Sequence, residues 1–481
     1  MGIGPLRRQS LISFSSTLIL TAVGFIATMY FAHAVGAAAY GVFSLFLAYF
    51  GILNLIGDGG FGGAAVKRIS EGGDQNAYFT AFIIIRIALL SVSVVVVLAL
   101  SDYLTTGGAT GMPIWLILAL IVGVFYSVTS CGVYGDGMVG VNQTAGLLNN
   151  ISKVLIQILA VFLGYGVAGL VGGFVAGMVV GGLLSLRFLR LKFARFTTAH
   201  LKNLFTFSFW IFLSSSGAIV FSYADTILIG HFLSTADVGI YRIAFQFTAA
   251  ATFTTIALQT TLYPKISRWH AEKSLDFIPP ALARAFTYSL LLAIPVAVGG
   301  WILGERLLYF FYGAGFVAGA GVLGILLLVQ IVNIFMFLQT MCLNAINRPR
   351  QSFYATGTAS IINIALDLAL IPVLGIKGAA IATLVTMIVN ATIAHHYLSQ
   401  QISVGIERGP TFHILLAAGV MALVILLYRL LVPLSNVFIV LGAVALGGLV
   451  YGLVLLRIDA VIHDEIRDLV MQLGVPWPRW L

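Results

Sequence analysis

Cysteine and charge are both scarce in this sequence. Only two cysteines, Cys131 and Cys342, occur among 481 residues, and both lie within apolar stretches, so a disulfide framework is not indicated. Charged residues make up 9% of the chain and hydrophobic residues 60%. A composition this poor in charge argues against a water-soluble domain and makes the length of the apolar stretches the next question.

Motifs typical of enzymes and ATP-driven pumps are also missing. The sequence has no G-x-x-x-x-G-K-[ST] phosphate loop, no H-E-x-x-H pair and no cluster of Cys and His. No connection between apolar stretches exceeds roughly 20 residues, which leaves no room for a soluble catalytic domain. We therefore expect neither enzymatic activity, nor a bound metal, nor an organic cofactor.

The apolar stretches are long enough to cross a lipid bilayer. A hydrocarbon core about 30 Å thick requires roughly 20 apolar residues per helical crossing. We therefore predict an all-α integral membrane protein with about 14 transmembrane helices. The fourteen stretches are 10–33, 40–60, 78–101, 112–134, 145–164, 167–187, 205–231, 238–262, 284–304, 320–344, 352–373, 378–398, 411–431 and 436–456.

Lys and Arg are distributed unevenly between the two sides of the predicted membrane. If the amino terminus is cytoplasmic, 19 of the 25 lie in cytoplasmic segments, four lie on the opposite side, and Arg86 and Lys153 lie within spans. This asymmetry follows the positive-inside rule and predicts that both termini are cytoplasmic. The net charge of +9 is thus interpreted as an orientation signal and a contact for anionic membrane lipids, with no nucleic-acid partner.

Two pairs of glycines recur at nearly the same spacing, and Lys67 and Lys265 repeat the offset of 198 positions that separates the first pair. Gly41 follows the first apolar stretch and Gly239 the seventh, 198 positions later. Gly166 and Gly375 follow the fifth and the eleventh stretches and are 209 positions apart. The spacing indicates that helices one to six and seven to twelve are copies of one unit, and an even number of helices makes the copies parallel. We interpret the glycines themselves as residues of tight turns.

This duplication predicts four parts of the chain. Residues 1–195 form an N-terminal six-helix lobe and residues 196–405 a C-terminal six-helix lobe, with a substrate path between them. Residues 406–456 contain helices 13 and 14 outside the duplication. Residues 457–481 form a cytoplasmic amphipathic tail, with Trp477 and Trp480 suited to the level of the lipid headgroups.

Six short motifs occur along the chain in a fixed order. They are AVGAAAYGVF at 34–43, DGGF at 58–61, KRIS at 67–70, DTILIG at 225–230, VGIY at 238–241 and LIPVLGIKGAAIA at 370–382. This ordered set resembles the signatures of polysaccharide-biosynthesis flippases in the multidrug/oligosaccharidyl-lipid/polysaccharide exporter superfamily. The resemblance covers essentially the whole chain.

The resemblance implies a two-lobed flippase that works by alternating access. Such a protein moves a polyprenyl-diphosphate-linked oligosaccharide from the cytoplasmic to the outer leaflet for cell-surface polysaccharide or glycan synthesis. The implied location is the plasma (inner) membrane of a prokaryote, the implied coupling ion is H⁺ or Na⁺, and a glycan polymerase or glycosyltransferases are the implied partners. Such a cargo requires a protein to cross the membrane, because a hydrated sugar and a diphosphate cannot cross hydrocarbon unaided.

Three alternative functions are weighed against this one. A drug or cation antiporter of the same superfamily would share the fold, but helices 13 and 14 argue against that branch, whose members commonly have twelve helices. A flippase for the peptidoglycan lipid precursor would share both the fold and the type of cargo. An oligosaccharide polymerase or glycosyltransferase is expected to carry a large outer loop or a metal-binding Asp-x-Asp, and the sequence has neither.

Arg86 and Lys153 are the candidate ligands of the diphosphate. An ionisable group inside a span is costly and usually faces the bundle interior. If these residues face a cavity, Arg86 binds phosphate through paired hydrogen bonds and Lys153 binds it as a point charge. In the alternative, both long side chains snorkel to the cytoplasmic interface.

Asp225 and Asp367 are the candidate ion-coupling residues. A buried carboxylate can exchange a proton or ligate Na⁺, and either event would couple transport to an ion gradient. Asp225 and Arg242 flank the same predicted turn at similar distances, so a structural ion pair is the alternative for Asp225. Asp367 has no such partner in the sequence, which makes it the stronger coupling candidate.

The remaining polar residues near or within spans have no unique assignment. Asp58 lies among glycines at the end of the second stretch, and we expect it to contact Lys67 or Arg68. Amide side chains on spans either line a cavity or form hydrogen bonds between helices. These amides are Asn149, Asn150, Gln157, Asn333, Gln339 and Asn344.

Overall fold

The computed structural model describes residues 5–105, 111–472 and 477, and these residues are almost entirely helical. Two short 3-10 helices, Leu275–Phe277 and Ala314–Gly319, flank α11. The α-helices are α1 (Pro5–Asp58), α2 (Phe61–Ser70), α3 (Gln75–Ala99), α4 (Ser101–Thr105), α5 (Met112–Gly135), α6 (Val139–Phe162), α7 (Gly166–Phe188), α8 (Thr198–Phe232), α9 (Thr235–Phe247), α10 (Ala249–Ala271), α11 (Ile278–Tyr312), α12 (Ala320–Ala345), α13 (Pro349–Leu374), α14 (Ile376–Ser399), α15 (Arg408–Leu431), α16 (Val437–Ile458) and α17 (Ala460–Gln472).

The described helices are those of a multi-pass membrane protein. Eleven of them are long and apolar enough to cross a bilayer, and a shorter apolar helix covers Ile219–Phe232. The first two predicted spans fall within α1, which changes direction at Gly36, where φ is 78° and ψ is 172°. The eighth predicted span is divided between α9 and α10. The all-α membrane fold is confirmed, while the count of fourteen spans stays a prediction.

The chain forms two compact units, residues Met1–Gly239 and Ile240–Leu481. In the first unit, a core of buried side chains joins α2, α3 and α5, with Phe82, Ala65 and Ile69 almost fully inaccessible. Helix α8, which the sequence places at the start of the second lobe, packs on α1 and α2 within this unit. The lobe boundary between 195 and 196 and the boundaries of the other predicted parts stay predictions.

In the second unit, one apolar core joins α10, α11, α12 and α14, and another joins α11, α15 and α16. The amphipathic helix α17 is held on the second core by Ile462, which is 2% exposed. Asp459 fixes its first turn, because one carboxylate oxygen accepts from the Ile462 N–H at 2.9 Å and the other lies 2.9 Å from Nδ1 of His413. Of the two tail tryptophans, Trp480 lies outside the described residues.

The two repeated glycine pairs have different structural roles. Gly166 and Gly375 take positive φ angles of 51° and 62° at the turns before α7 and α14, as predicted for turn glycines. Gly41 and Gly239 instead lie within α1 and α9, so the prediction that they form turns is wrong. A side chain on Gly41 would meet the backbone of Gly239, and a side chain on Gly239 would meet the backbone of Gly41. These two glycines thus lie in close backbone contact, and only glycine permits this approach.

Replacing Gly41 with valine is therefore expected to destabilise the first unit. Overpacking of a well-packed contact costs about 1–3 kcal/mol, and the atoms that would collide here are backbone atoms with little freedom to move. Thermal unfolding of the purified protein measures the effect. Gly172→Val in α7 is the matched control, because a side chain at Gly172 would have no neighbour within 4 Å. Equal unfolding midpoints for the two variants would contradict the close backbone contact.

Candidate functional site

A cavity lies among the membrane-spanning helices of the first unit. Its volume is about 440 Å³, and helices α1, α2, α5, α6 and α7 contribute to its wall. Apolar side chains cover part of that wall, with the rings of Phe50 and Phe174 in edge-to-face contact at a centroid distance of 5.2 Å. The polar part consists of hydroxyl groups, amides and a single ammonium group, described next.

A row of glycines on α7 sets the position of α6. Gly173, Gly177 and Gly181 are spaced by four residues, so they share one face of the helix. A side chain at Gly177 would meet the backbone oxygen of Asn149 and the Cβ of Lys153, which shows how closely α6 lies against this face. Small residues at this spacing allow close helix packing in membranes. The glycines therefore fix the backbone that carries Asn149 and Lys153 at the cavity wall.

Lys153 is the one charged side chain among the described residues that line this cavity. Its ammonium donates to Oδ1 of Asn150, one turn earlier, at 3.1 Å. Lys153 lies 14 positions after Val139, the first residue of α6 (153 − 139 = 14). At about 1.5 Å per residue this places it roughly 21 Å along the helix, deeper than the apolar stretch alone implies. A cation at this depth attracts an anionic group into the cavity.

Helix α5 presents a polar stripe to the same cavity. Tyr126, Ser130 and Tyr134 recur at intervals of four residues, and Ser127 follows on the adjacent position. The Ser130 hydroxyl donates to Oδ1 of Asn142 at 2.5 Å, which ties α5 to α6. Hydroxyls and amides form hydrogen bonds with sugar hydroxyls, and tyrosine rings offer flat apolar faces for sugar rings. The wall therefore suits a polar, anionic ligand.

Arg86 does not line this cavity; it is buried behind the wall. Its side chain is 1% exposed, Nη1 donates to the carbonyl oxygen of Gly57, and the same nitrogen lies 3.5 Å from Oδ1 of Asp58. The other carboxylate oxygen of Asp58 accepts from the N–H of Gly62, a residue of the cavity wall, at 3.4 Å. The predicted diphosphate contact of Arg86 is not tested by these contacts, but they give the residue a structural partner.

The expected partners of Asp58 were wrong. Asp58 pairs with Arg86 on α3, not with Lys67 or Arg68. Arg68 forms an ion pair with Glu71 at 2.9 Å. The ammonium of Lys67 instead lies 4.0 Å from the centroid of the Phe207 ring.

In the second unit, Asp367 lies on a buried polar face of α13. Asp367 and Asn363, one turn before it, are both fully inaccessible to solvent. Among the described residues, neither the amide oxygen nor the amide nitrogen of Asn363 has a hydrogen-bond partner. Helix α14 packs on α13 and buries Thr386 and Asn390, whose Oγ1 and Oδ1 also have no partner among those residues. Asp367 thus lies on one of two packed helices that bury polar side chains with unused oxygen atoms.

Asp225 and Arg242 fall in different units. Asp225 is 8% exposed on α8 of the first unit. The guanidinium carbon of Arg242, in the second unit, lies 5.6 Å from the centroid of the Phe245 ring. The ion pair proposed for these two residues stays a prediction, as does the coupling role of Asp225.

The structure distinguishes the amides that the sequence could not assign. Asn149 lines the cavity of the first unit, and Gln157 instead joins two helices by donating to the Leu170 carbonyl at 2.7 Å. Asn333 donates to Gln330 on its own helix at 3.1 Å. Gln339 lines a separate cavity in the second unit, and Asn344 is exposed near the end of α12.

Sequence reasoning missed Asn54 and the α5 stripe of Tyr126, Ser130 and Tyr134. The spacing of four residues was visible, but tyrosine and serine are common enough in spans that it carried no signal by itself. In residues 5–105, 111–472 and 477, no group of three or more His, Cys, Asp or Glu is placed to hold a metal ion.

The long apolar helices and the cavity that they enclose have the architecture of a multi-pass helical membrane protein. A family model described as "Polysaccharide biosynthesis protein" matches residues 6–270, more than half of the 481 residues, and the chain belongs to this family. The MatE family model matches residues 211–369.

Two curated relatives from Haloferax volcanii match almost end to end. "Probable low-salt glycan biosynthesis flippase Agl15" is 26% identical over 465 residues, which cover 97% of this chain and 98% of the relative. "Probable flippase AglR" is 28% identical over 483 residues, which cover 97% of this chain and 99% of the relative.

The fold is shared with solved transporters. Lipid II flippase MurJ in an inward closed conformation matches with a TM-score of 0.77, covering 96% of this chain and 100% of that chain at 17% identity. An inward-facing multidrug resistance MATE transporter matches with a TM-score of 0.62, covering 79% of this chain and 94% of that chain at 16% identity. At these identities the likeness establishes the fold and not the substrate.

Proposed function

We propose that this protein is a flippase for a polyprenyl-diphosphate-linked oligosaccharide. The observation that carries the proposal is the cavity of the first unit, a polar chamber with one ammonium group inside the membrane-spanning helices. The two Haloferax volcanii relatives, both described as probable flippases, support the same activity. The protein acts as a transporter and not as an enzyme.

The cavity meets the physical requirement of this cargo. The sugars and the diphosphate need hydrogen bonds and countercharge while they are away from water. Asn54, Asn149 and the α5 stripe supply hydrogen bonds to the sugars, and Lys153 supplies countercharge to a phosphate oxygen. The lipid tail needs no such shelter and stays in the bilayer. Arg86 does not line the cavity. Its role as a second phosphate ligand therefore stays a prediction.

Transport in one direction requires an energy source, and we propose an ion gradient acting at Asp367. A buried carboxylate is stable only when it is protonated, paired with a cation or well hydrogen-bonded. The buried amide and hydroxyl oxygen atoms on α13 and α14 are of the type that binds a proton or Na⁺. Binding of the ion at this site would favour one conformation of the second unit and so bias the transport cycle.

The orientation and surroundings of the protein complete the proposal. The distribution of Lys and Arg supports cytoplasmic termini. The proposed location is the plasma membrane of a prokaryote, which the two Haloferax volcanii relatives support. Glycosyltransferases that build the lipid-linked oligosaccharide, and a polymerase that receives it, are the proposed working partners. The peptidoglycan lipid precursor and drug cations are the competing cargoes, and the second is disfavoured by the cationic cavity.

Lys153→Gln tests this function directly. We expect its flipping rate in reconstituted vesicles to fall about tenfold to a hundredfold, because one hydrogen bond to a charged group contributes about 1.5–3 kcal/mol. The vesicles contain a fluorescent polyprenyl-diphosphate oligosaccharide, and the labelled lipid that reaches the other leaflet is measured. Lys202→Gln removes the same charge from an exposed position outside the cavity and is the matched control. Equal rates in the two variants would contradict the proposed role of the cavity.

A further inference from the structure

A second cavity lies entirely within the second unit. Its volume is about 530 Å³, and its wall comes from α11, α12, α14, α15 and the segment 400–407 that joins the last two. The function proposed above makes no use of this cavity. Its chemistry differs from that of the first cavity, since a larger share of its wall is apolar.

The floor of this cavity is buried and aromatic. Phe286 is fully inaccessible, and its ring lies 5.1 Å, centroid to centroid, from that of Phe335. Beside them, Gln339 is 4% exposed, and its Oε1 is buried with no hydrogen-bond partner among the described residues. Thr411 also lines the cavity, and its buried Oγ1 likewise has no hydrogen-bond partner among the described residues. Unsatisfied buried polar atoms are costly, so two at one cavity indicate a ligand that satisfies them.

The rim of the cavity carries one permanent positive charge, that of Arg408, beside the imidazole of His395. Arg408 and His395 both line it and are both exposed. Arg408 is the first residue of α15, so the free N–H groups of that helix add positive potential at the same end. The neighbouring acid, Glu407, lies 3.8 Å from Nε of Arg284, whose Nη1 also lies 3.5 Å from Oε1 of Glu465. Neither acid lines the cavity. The rim therefore favours an anion.

The open side of the cavity is apolar. Phe412 is 63% exposed and Leu415 is 52% exposed, and both lie on the membrane-spanning helix α15. A ligand that enters from this side therefore has an apolar chain as well as an anionic head. Helix α12 ends six positions beyond Gln339 (345 − 339 = 6), on the predicted cytoplasmic side of the membrane. The cavity is therefore at the level of the phosphate headgroups of the cytoplasmic leaflet.

We propose that this cavity binds an anionic phospholipid of the membrane, with the phosphate at Arg408 and His395 and the upper part of an acyl chain against Phe286 and Phe335. The headgroup hydroxyls, or water that they hold, satisfy Gln339 and Thr411. The bound lipid connects α15 to the core helices of the second unit and stabilises that unit. It is a resident lipid and not the transported cargo.

Lipid-dependent thermal stability of the full-length protein in mild detergent tests this site. Phosphatidylglycerol and phosphatidylcholine are titrated separately, and the unfolding midpoint is recorded. We expect phosphatidylglycerol to raise the midpoint more, and Arg408→Gln to weaken its apparent affinity about tenfold to a hundredfold by loss of a charge-assisted hydrogen bond. Arg350→Gln is the matched control, because Arg350 is exposed on the same predicted side and does not line the cavity.

A second variant guards against a general loss of folding. Gln339→Leu replaces the unsatisfied amide with an apolar group of similar size, so the lipid-free protein should be as stable as the wild type or more stable. The same variant should bind phosphatidylglycerol more weakly. Equal stabilisation by the two lipids, or equal losses in Arg408→Gln and Arg350→Gln, would overturn the proposal.

A third lipid, polyprenyl phosphate, tests whether the cavity binds a resident phospholipid or the lipid carrier of the cargo. Polyprenyl phosphate in place of phosphatidylglycerol should give little Arg408-dependent stabilisation. If it stabilises more than phosphatidylglycerol does, the cavity belongs to the cargo pathway and the resident-lipid proposal is overturned. Because every readout here is binding and stability, failure of the flippase proposal would leave these outcomes unchanged.

Discussion

Arg86→Gln is expected to reduce the amount of folded protein in the membrane by a large factor. Loss of one partner from a buried ion pair costs about 3–5 kcal/mol, because the other charge is left buried. Asp58 is 29% exposed and can regain some hydration, so we expect a cost near the lower end, about 3 kcal/mol. The carbonyl of Gly57 also loses its donor. Quantitative immunoblotting of membranes and the unfolding midpoint measure the loss.

A double-mutant cycle separates this structural role from a substrate contact. If Arg86 and Asp58 stabilise each other, Asp58→Asn combined with Arg86→Gln should cost less than the sum of the two single variants. Arg68→Gln is the control, since Arg68 forms an exposed ion pair with Glu71 and should have a small effect. Normal abundance of Arg86→Gln together with lost flipping would instead support the diphosphate contact that the sequence predicts.

The case of Asp58 shows what the sequence could not provide. Lys67 and Arg68 are near in sequence, and local proximity made them the expected partners. The actual partner, Arg86, lies on α3, and only the packing of α1 on α3 brings the two together. Apolar length, in contrast, is a local property, so the membrane spans of α5, α7 and α15 could be located from the sequence with small errors at their ends.

The repeated glycines also show that local features can be predicted from the sequence and tertiary contacts cannot. A short turn requires a positive φ angle at Gly166 and at Gly375, and the prediction that these two glycines form turns is correct. Gly41 and Gly239 are instead required by the packing of helices that are distant in sequence. The local sequence does not distinguish such a packing glycine from a turn glycine. Lys153 could be selected because a charge in an apolar stretch is rare. Its cavity could not be inferred, because the wall comes from five separate helices.

Asp367 offers the other large expected effect, because the whole driving force is proposed to act there. Asp367→Asn keeps the shape of the side chain and removes its charge. A carboxylate that binds Na⁺ or a proton loses that ability as an amide, whereas the neighbouring Asn363 and Thr386 remain in place. We therefore expect loss of the response to an ion gradient in protein that still reaches the membrane, because the amide keeps the shape of the side chain.

Vesicles with imposed gradients measure this response. Wild-type protein should flip the labelled lipid-linked oligosaccharide faster under a Na⁺ gradient at equal pH, or under a pH gradient without Na⁺, and the active gradient identifies the ion. Asp367→Asn should show about one tenth or less of the wild-type rate difference between vesicles with and without the gradient, since loss of a charged ligand costs about 1.5–3 kcal/mol. Asp464→Asn, at a side chain 58% exposed on α17, is the matched control, and Asp225→Asn tests the second candidate in parallel. An unchanged gradient response in Asp367→Asn would exclude this carboxylate as the coupling group, and loss of the response in Asp225→Asn alone would transfer the role to the first unit.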